Sequence, residues 1–233
     1  MITLDAITKS YGKFRALDGV SIAFPQGGTT ALLGPNGAGK TTALKIMLGL
    51  ARPDAGTVCW DGHRVNGAHA FRNGIGYMPQ IGRFPENLTV AEFLTMIEGL
   101  RAAPAARLDA MLERFELSSQ SSKRLKDLSG GTRQRVCAVM ALMFDVPVYI
   151  LDEPTSGLDP MMSRRLKDAV RAEKEAGKTV VFTSHIMSDI EELADHVVFL
   201  LEGRAVFDGP IEALAGGAGV ERAIAALLEA RAT

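Results

Sequence analysis

Hydrophobic and polar positions alternate in short runs over the first third of the chain, then change to a helical period. Ile2–Ala6 and Val20–Phe24 read as strands, separated by a turn-rich stretch containing Tyr11-Gly12. Thr30–Leu33 reads as a short apolar strand, and Ala43–Leu48 begins a helix with an apolar face. Thr57–Trp60 and Ile75–Met78 are two further strands. They are bounded by the Arg52–Gly56 turn, by Asp61-Gly62 and by Pro79-Gln80, and the intervening Val65–Arg72 carries little pattern. From Glu86 the period becomes helical. Thr89 is placed as an N-cap with Glu92 three residues on, Leu94, Ile97 and Leu100 continue that helix, and Ala105–Phe115 supplies a second. Leu128–Gly131 opens a third, with Val136, Val139 and Met140 on its face.

Strands return at Val146–Leu151 and Thr179–Thr183, with a charged surface helix over Ser163–Ala176 between them. A helix through Ile190–Ala194 follows, then a hairpin of Val197–Leu201 and Ala205–Asp208 about Glu202-Gly203-Arg204. Helices over Pro210–Ala215 and Val220–Ala230, joined by a flexible Gly216–Gly219, close the chain. This order predicts an α/β fold: one core from residues 1–84 and 147–233, and a helical lobe over 85–146 inserted between its halves.

The most specific local chemistry lies between the strand at Thr30–Leu33 and the helix after it. Gly34-Pro35-Asn36-Gly37-Ala38-Gly39-Lys40-Thr41-Thr42 matches the phosphate-loop pattern G-x-x-x-x-G-K-[ST]. Glycines let successive backbone N–H groups curl round an anion, and the helix N-terminus adds partial positive charge. Lys40 then reaches the β- and γ-phosphates, and the Thr41 hydroxyl takes a place on Mg²⁺. The apolar strand ending in Asp152-Glu153-Pro154 supplies the complement: the first carboxylate orients Mg²⁺ through its waters and the second polarises an attacking water. Ser129-Gly130-Gly131 at a helix start is a second place for phosphate oxygens. Tyr11 is either a core aromatic or a flat face for an adenine ring. Gln80 ends a strand as a polar loop residue, and His185 falls at the C-terminal edge of the expected parallel sheet, where such folds place ligands.

Composition narrows the partners. The 26 basic and 27 acidic residues leave no net field for nucleic acid or an anionic membrane surface. Cys59 and Cys137 are too few for a disulfide framework. His63, His69 and His196 lack partners at metal-ligand spacing. Residues 1–5 carry no secretion signal, and the longest apolar run, Val136–Phe144, is too short to span a bilayer, so a cytoplasmic protein is expected whose membrane role goes through a partner.

The ordered set GPNGAGKTT, Gln80, LSGG at 128–131, VYILDEP at 148–154, SGLD at 156–159 and His185 resembles the ATP-binding subunit of ABC transporters over nearly the whole chain. The resemblance implies a P-loop NTPase (RecA-like) core with an antiparallel β part and an inserted helical signature lobe. It implies ATP and Mg²⁺ as ligands. Tyr11 would stack on adenine, while Gly34, Pro35, Asn36, Gly37, Ala38, Gly39, Lys40, Thr41 and Thr42 would hold the phosphates. Asp152, Thr41 and Gln80 would surround the metal, with Gln80 also sensing the γ-phosphate. Glu153 would be the general base and His185 a γ-phosphate contact. Ser129, Gly130, Gly131 and Asp159 would act across an interface, so that two chains, identical or different, sandwich two ATP molecules.

The partners implied are integral membrane permease subunits, with the chain peripheral on the cytoplasmic face of the inner membrane. Arg83–Asn87 is the docking surface suggested by likeness. The chain departs from the common LSGGQ ending at Thr132. Its LSGGT-R-Q run resembles ATPases of exporters serving copper-site maturation of nitrous oxide reductase, and Pro85–Glu92 resembles exporter-type subunits. The competing class is a soluble ABC-type ATPase acting on ribosomes or DNA. Those usually carry two cassettes or long coiled-coil insertions, which 233 residues do not accommodate.

Overall fold

A computed structural model describes residues 1–65, 70–101, 104–216 and 219–229. In chain order its strands and helices are β1 (Ile2–Tyr11), β2 (Phe14–Phe24), β3 (Thr29–Leu33), α1 (Lys40–Met47), β4 (Ala55–Trp60), β5 (His63–Arg64) and β6 (Ile75–Met78). Next come α2 (Val90–Arg101), α3 (Leu108–Arg114), α4 (Gly130–Leu142), β7 (Val148–Asp152), α5 (Pro160–Glu175) and β8 (Thr179–Thr183). The chain continues with α6 (Met187–Leu193), β9 (His196–Leu201), β10 (Arg204–Pro210), α7 (Ile211–Ala215) and α8 (Val220–Glu229).

Two sheets form. The smaller is antiparallel, in the order β2-β1-β4-β5; the larger runs β10-β9-β3-β8-β7-β6, parallel except for β10. Both faces of the larger sheet are covered, which is why β3, β7 and β8 read as continuous apolar runs rather than alternating ones. Alternate residues of β7 go to opposite cores. Val148 and Ile150 pack with α1 and the inner face of the smaller sheet, including Leu4, Ile22 and Phe24. Tyr149 and Leu151 pack on the other side with Phe93, Phe115, Val136 and Leu166 from α2–α5 and their connections. Helices α2, α3 and α4 lie in sequence between β6 and β7, which are adjacent parallel strands, so the helical lobe leaves and rejoins the sheet at one edge.

Several expected bounds shift, each for a local reason. The first two strands extend through the stretch expected to be turns, because β1 and β2 pair from Ile2–Phe24 to Tyr11–Phe14 with three register irregularities. Ala6 takes a positive φ of 48° and its N–H donates to Ser21 Oγ at 2.8 Å, so bulges interrupt the alternation that marks a strand in sequence. The helix expected from Ala105 begins at Leu108, after a turn in which Leu108 N–H donates to the Ala105 carbonyl. The helix expected from Ser163 begins at Pro160, because Asp159 accepts the Met162 N–H at 2.9 Å as N-cap and proline suits the first helical position. Thr89 and Glu92 form the expected reciprocal capping box, at 2.8 and 3.2 Å. His69, Gly217, Ala218 and Ala230 lie outside the described residues.

Candidate active site

The turn between β3 and α1 is shaped by close approach. A Cβ at Gly34 (φ 144°) would collide with the Leu200 carbonyl oxygen, and one at Gly39 (φ 107°) would come within 2.5 Å of the Ala16 carbonyl oxygen. Glycine at both positions is therefore dictated by packing as well as by backbone conformation. Lys40 opens α1 and folds its amine back into the turn, donating to the Gly34 carbonyl at 2.6 Å and the Pro35 carbonyl at 3.1 Å. Burial pulls the Lys40 pKa below that of a free lysine, and the nearby Glu153 and Asp152 carboxylates oppose that pull. An anion placed in the turn would relieve the same burial penalty.

Parallel pairing brings the remaining chemistry to the same end of the sheet. Met78 of β6 pairs with Leu151, and Asp152 at the end of β7 pairs with Thr183 at the end of β8. Gln80 and the Asp152-Glu153 pair consequently emerge beside the Gly34–Thr42 turn. A cavity of about 180 Å³ is walled by Asn36–Thr42, Gln80, Asp152 and Glu153, with Phe14 and Ala16 closing its side. Both carboxylate residues are buried, at 5 % and 9 % exposure.

Glu153 is fixed from three directions. Its carboxylate Oε2 lies 2.7 Å from His185 Nδ1. An ionised carboxylate only accepts, so this contact calls for a proton on Nδ1. Its backbone N–H donates to Thr183 Oγ1 at 2.8 Å, and the same hydroxyl donates to Asp152 Oδ1 at 2.7 Å. Its carbonyl and that of Pro154 receive Gln134 Nε2 at 3.4 and 3.3 Å. Just behind, Thr155 Oγ1 donates to the buried Asp189 at 2.5 Å, and Lys167 Nζ stands 3.4 Å from the other Asp189 oxygen.

Of the residues singled out from sequence, Lys40, Gln80, Asp152 and Glu153 share the cavity with Asn36 through Thr42, and His185 reaches it through Glu153. Tyr11 does not line it. Tyr11 is 49 % exposed, sits opposite Phe14 across the β1–β2 turn, and has Lys9 Nζ 5.5 Å from its ring centroid. Phe14, itself 58 % exposed, is the aromatic on the wall. The only sequence signal for it is its place beside the same turn. Thr183 and Gln134, which bond Glu153, carry no signal in the sequence, one inside a β-branched strand and the other inside a polar helical turn.

Ser129, Gly130, Gly131 and Asp159 do not line this cavity. Ser129 caps α4, with its Oγ 2.8 Å from Thr132 Oγ1 and accepting the Thr132 N–H at 3.3 Å. Thr132 is buried and also accepts from Arg135 at 3.1 Å, so a threonine at this place ties the start of α4 to its second turn. A Cβ at Gly131 would stand 3.0 Å from the Gly157 carbonyl, which keeps this helix start close to the 156–159 loop.

No cluster of three or more His, Cys, Asp or Glu suited to a metal ion occurs among the described residues. His196 bonds Asp208 at 2.6 Å and His63 is exposed on β5. No helix among the described residues is long and apolar enough to cross a membrane.

A family model described as "ABC transporter" matches residues 17–156. The Nod factor export ATP-binding protein I of Paraburkholderia xenovorans is 38 % identical over 218 residues, covering 91 % of this chain and 72 % of that protein. The daunorubicin resistance ATP-binding protein DrrA3 of Streptomyces coeruleorubidus is 36 % identical over 234 residues, covering 98 % of this chain and 74 % of that one. Among solved structures, an ATP-binding subunit of an ABC transporter superposes with a TM-score of 0.91 at 27 % identity, covering 98 % of this chain and 99 % of that chain. The bacterial ABC transporter cassette MJ0796, solved as a dimer in a post-hydrolysis state bound to ADP and Pi, superposes with a TM-score of 0.81 at 26 % identity, covering 90 % of this chain and 98 % of that chain.

Proposed function

The chain belongs to the ABC transporter family of ATP-binding subunits, an ATPase family, and from that premise we propose that it dimerises around two MgATP and drives separate membrane subunits. The observation that carries the reading is the convergence of the Gly34–Thr42 turn, Lys40 and the buried Asp152-Glu153 pair on one cavity. The roles follow from what each group can do there. Backbone N–H groups at the start of α1 and the Lys40 amine hold the β- and γ-phosphates, the amine exchanging two loop carbonyls for phosphate oxygens. The Thr41 hydroxyl, Asp152 and Gln80 are hard oxygen donors on the same wall, the donor set that Mg²⁺ takes. When bound, Mg²⁺ neutralises charge on the β- and γ-phosphates.

Glu153 accepts a proton from the attacking water while the water oxygen bonds to the γ-phosphorus and the bond to the ADP oxygen breaks. His185 holds that carboxylate through Nδ1 at 2.7 Å, which leaves Nε2 of its exposed ring for a γ-phosphate contact. An aromatic face for adenine comes from the β1–β2 turn, where both Tyr11 and Phe14 are exposed.

Ser129, Gly130, Gly131 and Asp159, which do not line the cavity, serve the nucleotide held by a second subunit. Residues 1–84 and 147–233 act as the nucleotide core and 85–146 as the lobe that meets the partners. Closure of the pair reaches integral membrane permease subunits at the cytoplasmic face of the inner membrane through the Gln80 segment and Arg83–Asn87. Export is the direction favoured by the Pro85–Glu92 segment and by the Nod factor export relative. Copper-site maturation of nitrous oxide reductase is a narrower reading supported by the Leu128–Gln134 run alone; a deletion strain with fully copper-loaded reductase overturns it.

Glu153→Gln tests the chemical role. It removes the base and keeps the shape, so the variant binds MgATP as the parent does and turns over at a small residual rate. Turnover near the parent rate removes Glu153 from the role of base.

A further inference from the structure

Glu153 holds a left-handed backbone, φ 50°, which costs a non-glycine residue energy and persists only where its surroundings enforce it. Resting on the reading of Glu153 as the base, we propose that Thr183 is a positioning residue for hydrolysis, its hydroxyl locking the Glu153 backbone and the Asp152 carboxylate into one arrangement.

Thr183 is fully buried at the end of β8, in register with Asp152. A hydroxyl has a single proton, and Thr183 spends it on Asp152 Oδ1 at 2.7 Å. That bond sets the hydroxyl's rotation, which turns a lone pair toward the Glu153 N–H at 2.8 Å. The other side of the Glu153 residue is held by Gln134 from α4 and by the Ser156 N–H, which donates to the Glu153 carbonyl at 3.1 Å. With both backbone groups tied, the left-handed turn aims the Glu153 side chain at the cavity and at His185. Releasing the N–H lets the residue relax toward an ordinary conformation and swings the carboxylate away from its place. The same release frees Asp152 Oδ1, the group assigned to the metal.

Strand-forming alone does not account for this hydroxyl. Valine matches threonine in shape and β-branching, so Thr183→Val removes the two hydroxyl bonds while keeping the strand side chain, and thermal unfolding reads the stability part of that loss separately. Supporting groups behind a metal-binding carboxylate typically change affinity or activity by about 10–100-fold.

The test compares Thr183→Val, Thr183→Ser and Glu153→Gln in the full chain. Three quantities are measured: steady-state kcat and KM for ATP, affinity for a fluorescent ATP analogue with and without Mg²⁺, and thermal unfolding. The proposal expects Thr183→Val to lower kcat by about 10–100-fold. It also expects Mg²⁺-free nucleotide affinity to be kept, the gain in affinity on adding Mg²⁺ to shrink, and Thr183→Ser to restore all of these. Parent-like kcat and Mg²⁺ response in Thr183→Val overturn the proposal. So does a loss that Thr183→Ser fails to rescue. Glu153→Gln separates the two levels: if it hydrolyses ATP normally, the base assignment falls. If it is inactive while Thr183→Val runs at full speed, only the positioning role falls.

Discussion

Removing Arg107 should destabilise the joint between the helical lobe and the core more than its surface position suggests. Arg107 precedes α3 and donates to Glu173 Oε1 of α5 at 2.5 Å and to Asp145 Oδ1 at 3.0 Å. Glu173 is 7 % exposed, and its second oxygen is buried without a hydrogen-bond partner among the described residues. Asp145 keeps Lys178 at 2.9 Å when Arg107 is gone, but Glu173 is left as a buried, uncompensated carboxylate. Breaking a fully buried pair costs about 3–5 kcal/mol. The Arg107 side chain is 29 % exposed, so water reaches the site and about 2–3 kcal/mol is expected for Arg107→Met. For a chain of this length that corresponds to a fall in Tm of about 4–12 °C.

The informative comparison is a double-mutant cycle with Glu173→Leu, read by urea unfolding. Removing both charges should recover most of the loss, because a buried pair replaced by apolar groups is often close to neutral. Additive losses in the double variant, or a single-variant cost below about 0.5 kcal/mol, would refute the assignment of Arg107–Glu173 as a coupled buried pair.

Two further outcomes follow from burial. The Lys40 pKa is depressed in the folded, nucleotide-free chain, so its charge is a stability penalty in full below the folded pKa that fades as pH rises toward the unfolded value near 10.5. Lys40→Met should therefore melt higher than the parent at pH 8, with the gap narrowing toward pH 10.5 and no MgATP-induced rise; a gap that widens with pH contradicts this sign. Burial pushes the Cys137 thiol up to about 12, while Cys59 is partly exposed. A thiol reagent at pH 8 should modify one cysteine quickly in the native chain and both after unfolding, and two fast native reactions would show that Cys137 is accessible.

The parts of the site legible in sequence were those whose chemistry is local. Gly34–Thr42 needs only glycines at particular offsets and a Lys-Thr at a helix start, and Asp152-Glu153 needs only carboxylates at the end of an apolar strand. Long-range tertiary choices stayed hidden. Phe14 rather than Tyr11 faces the cavity because hairpin register and bulges decide which turn-side aromatic turns inward. Thr183 reads as an ordinary strand former, and its bonds to residues 30 and 31 positions away appear only once β7 and β8 pair. The first hairpin is longer than its sequence pattern indicates because bulges at Ala6 and its neighbours break the period of two on which strand recognition depends. Ser129–Gly131 do not line the cavity of their own chain, and the proposed second subunit is what would bring a nucleotide to them.

The most direct measurement is the mass of the Glu153→Gln chain in solution, by light scattering, with and without MgATP. A single chain is 24.9 kDa. The account predicts a shift to twice that mass with MgATP, reversed by removing the nucleotide and absent in Glu153→Gln carrying Ser129→Arg. A chain that binds MgATP with the expected affinity and stays at the single-subunit mass contradicts the nucleotide-sandwich dimer.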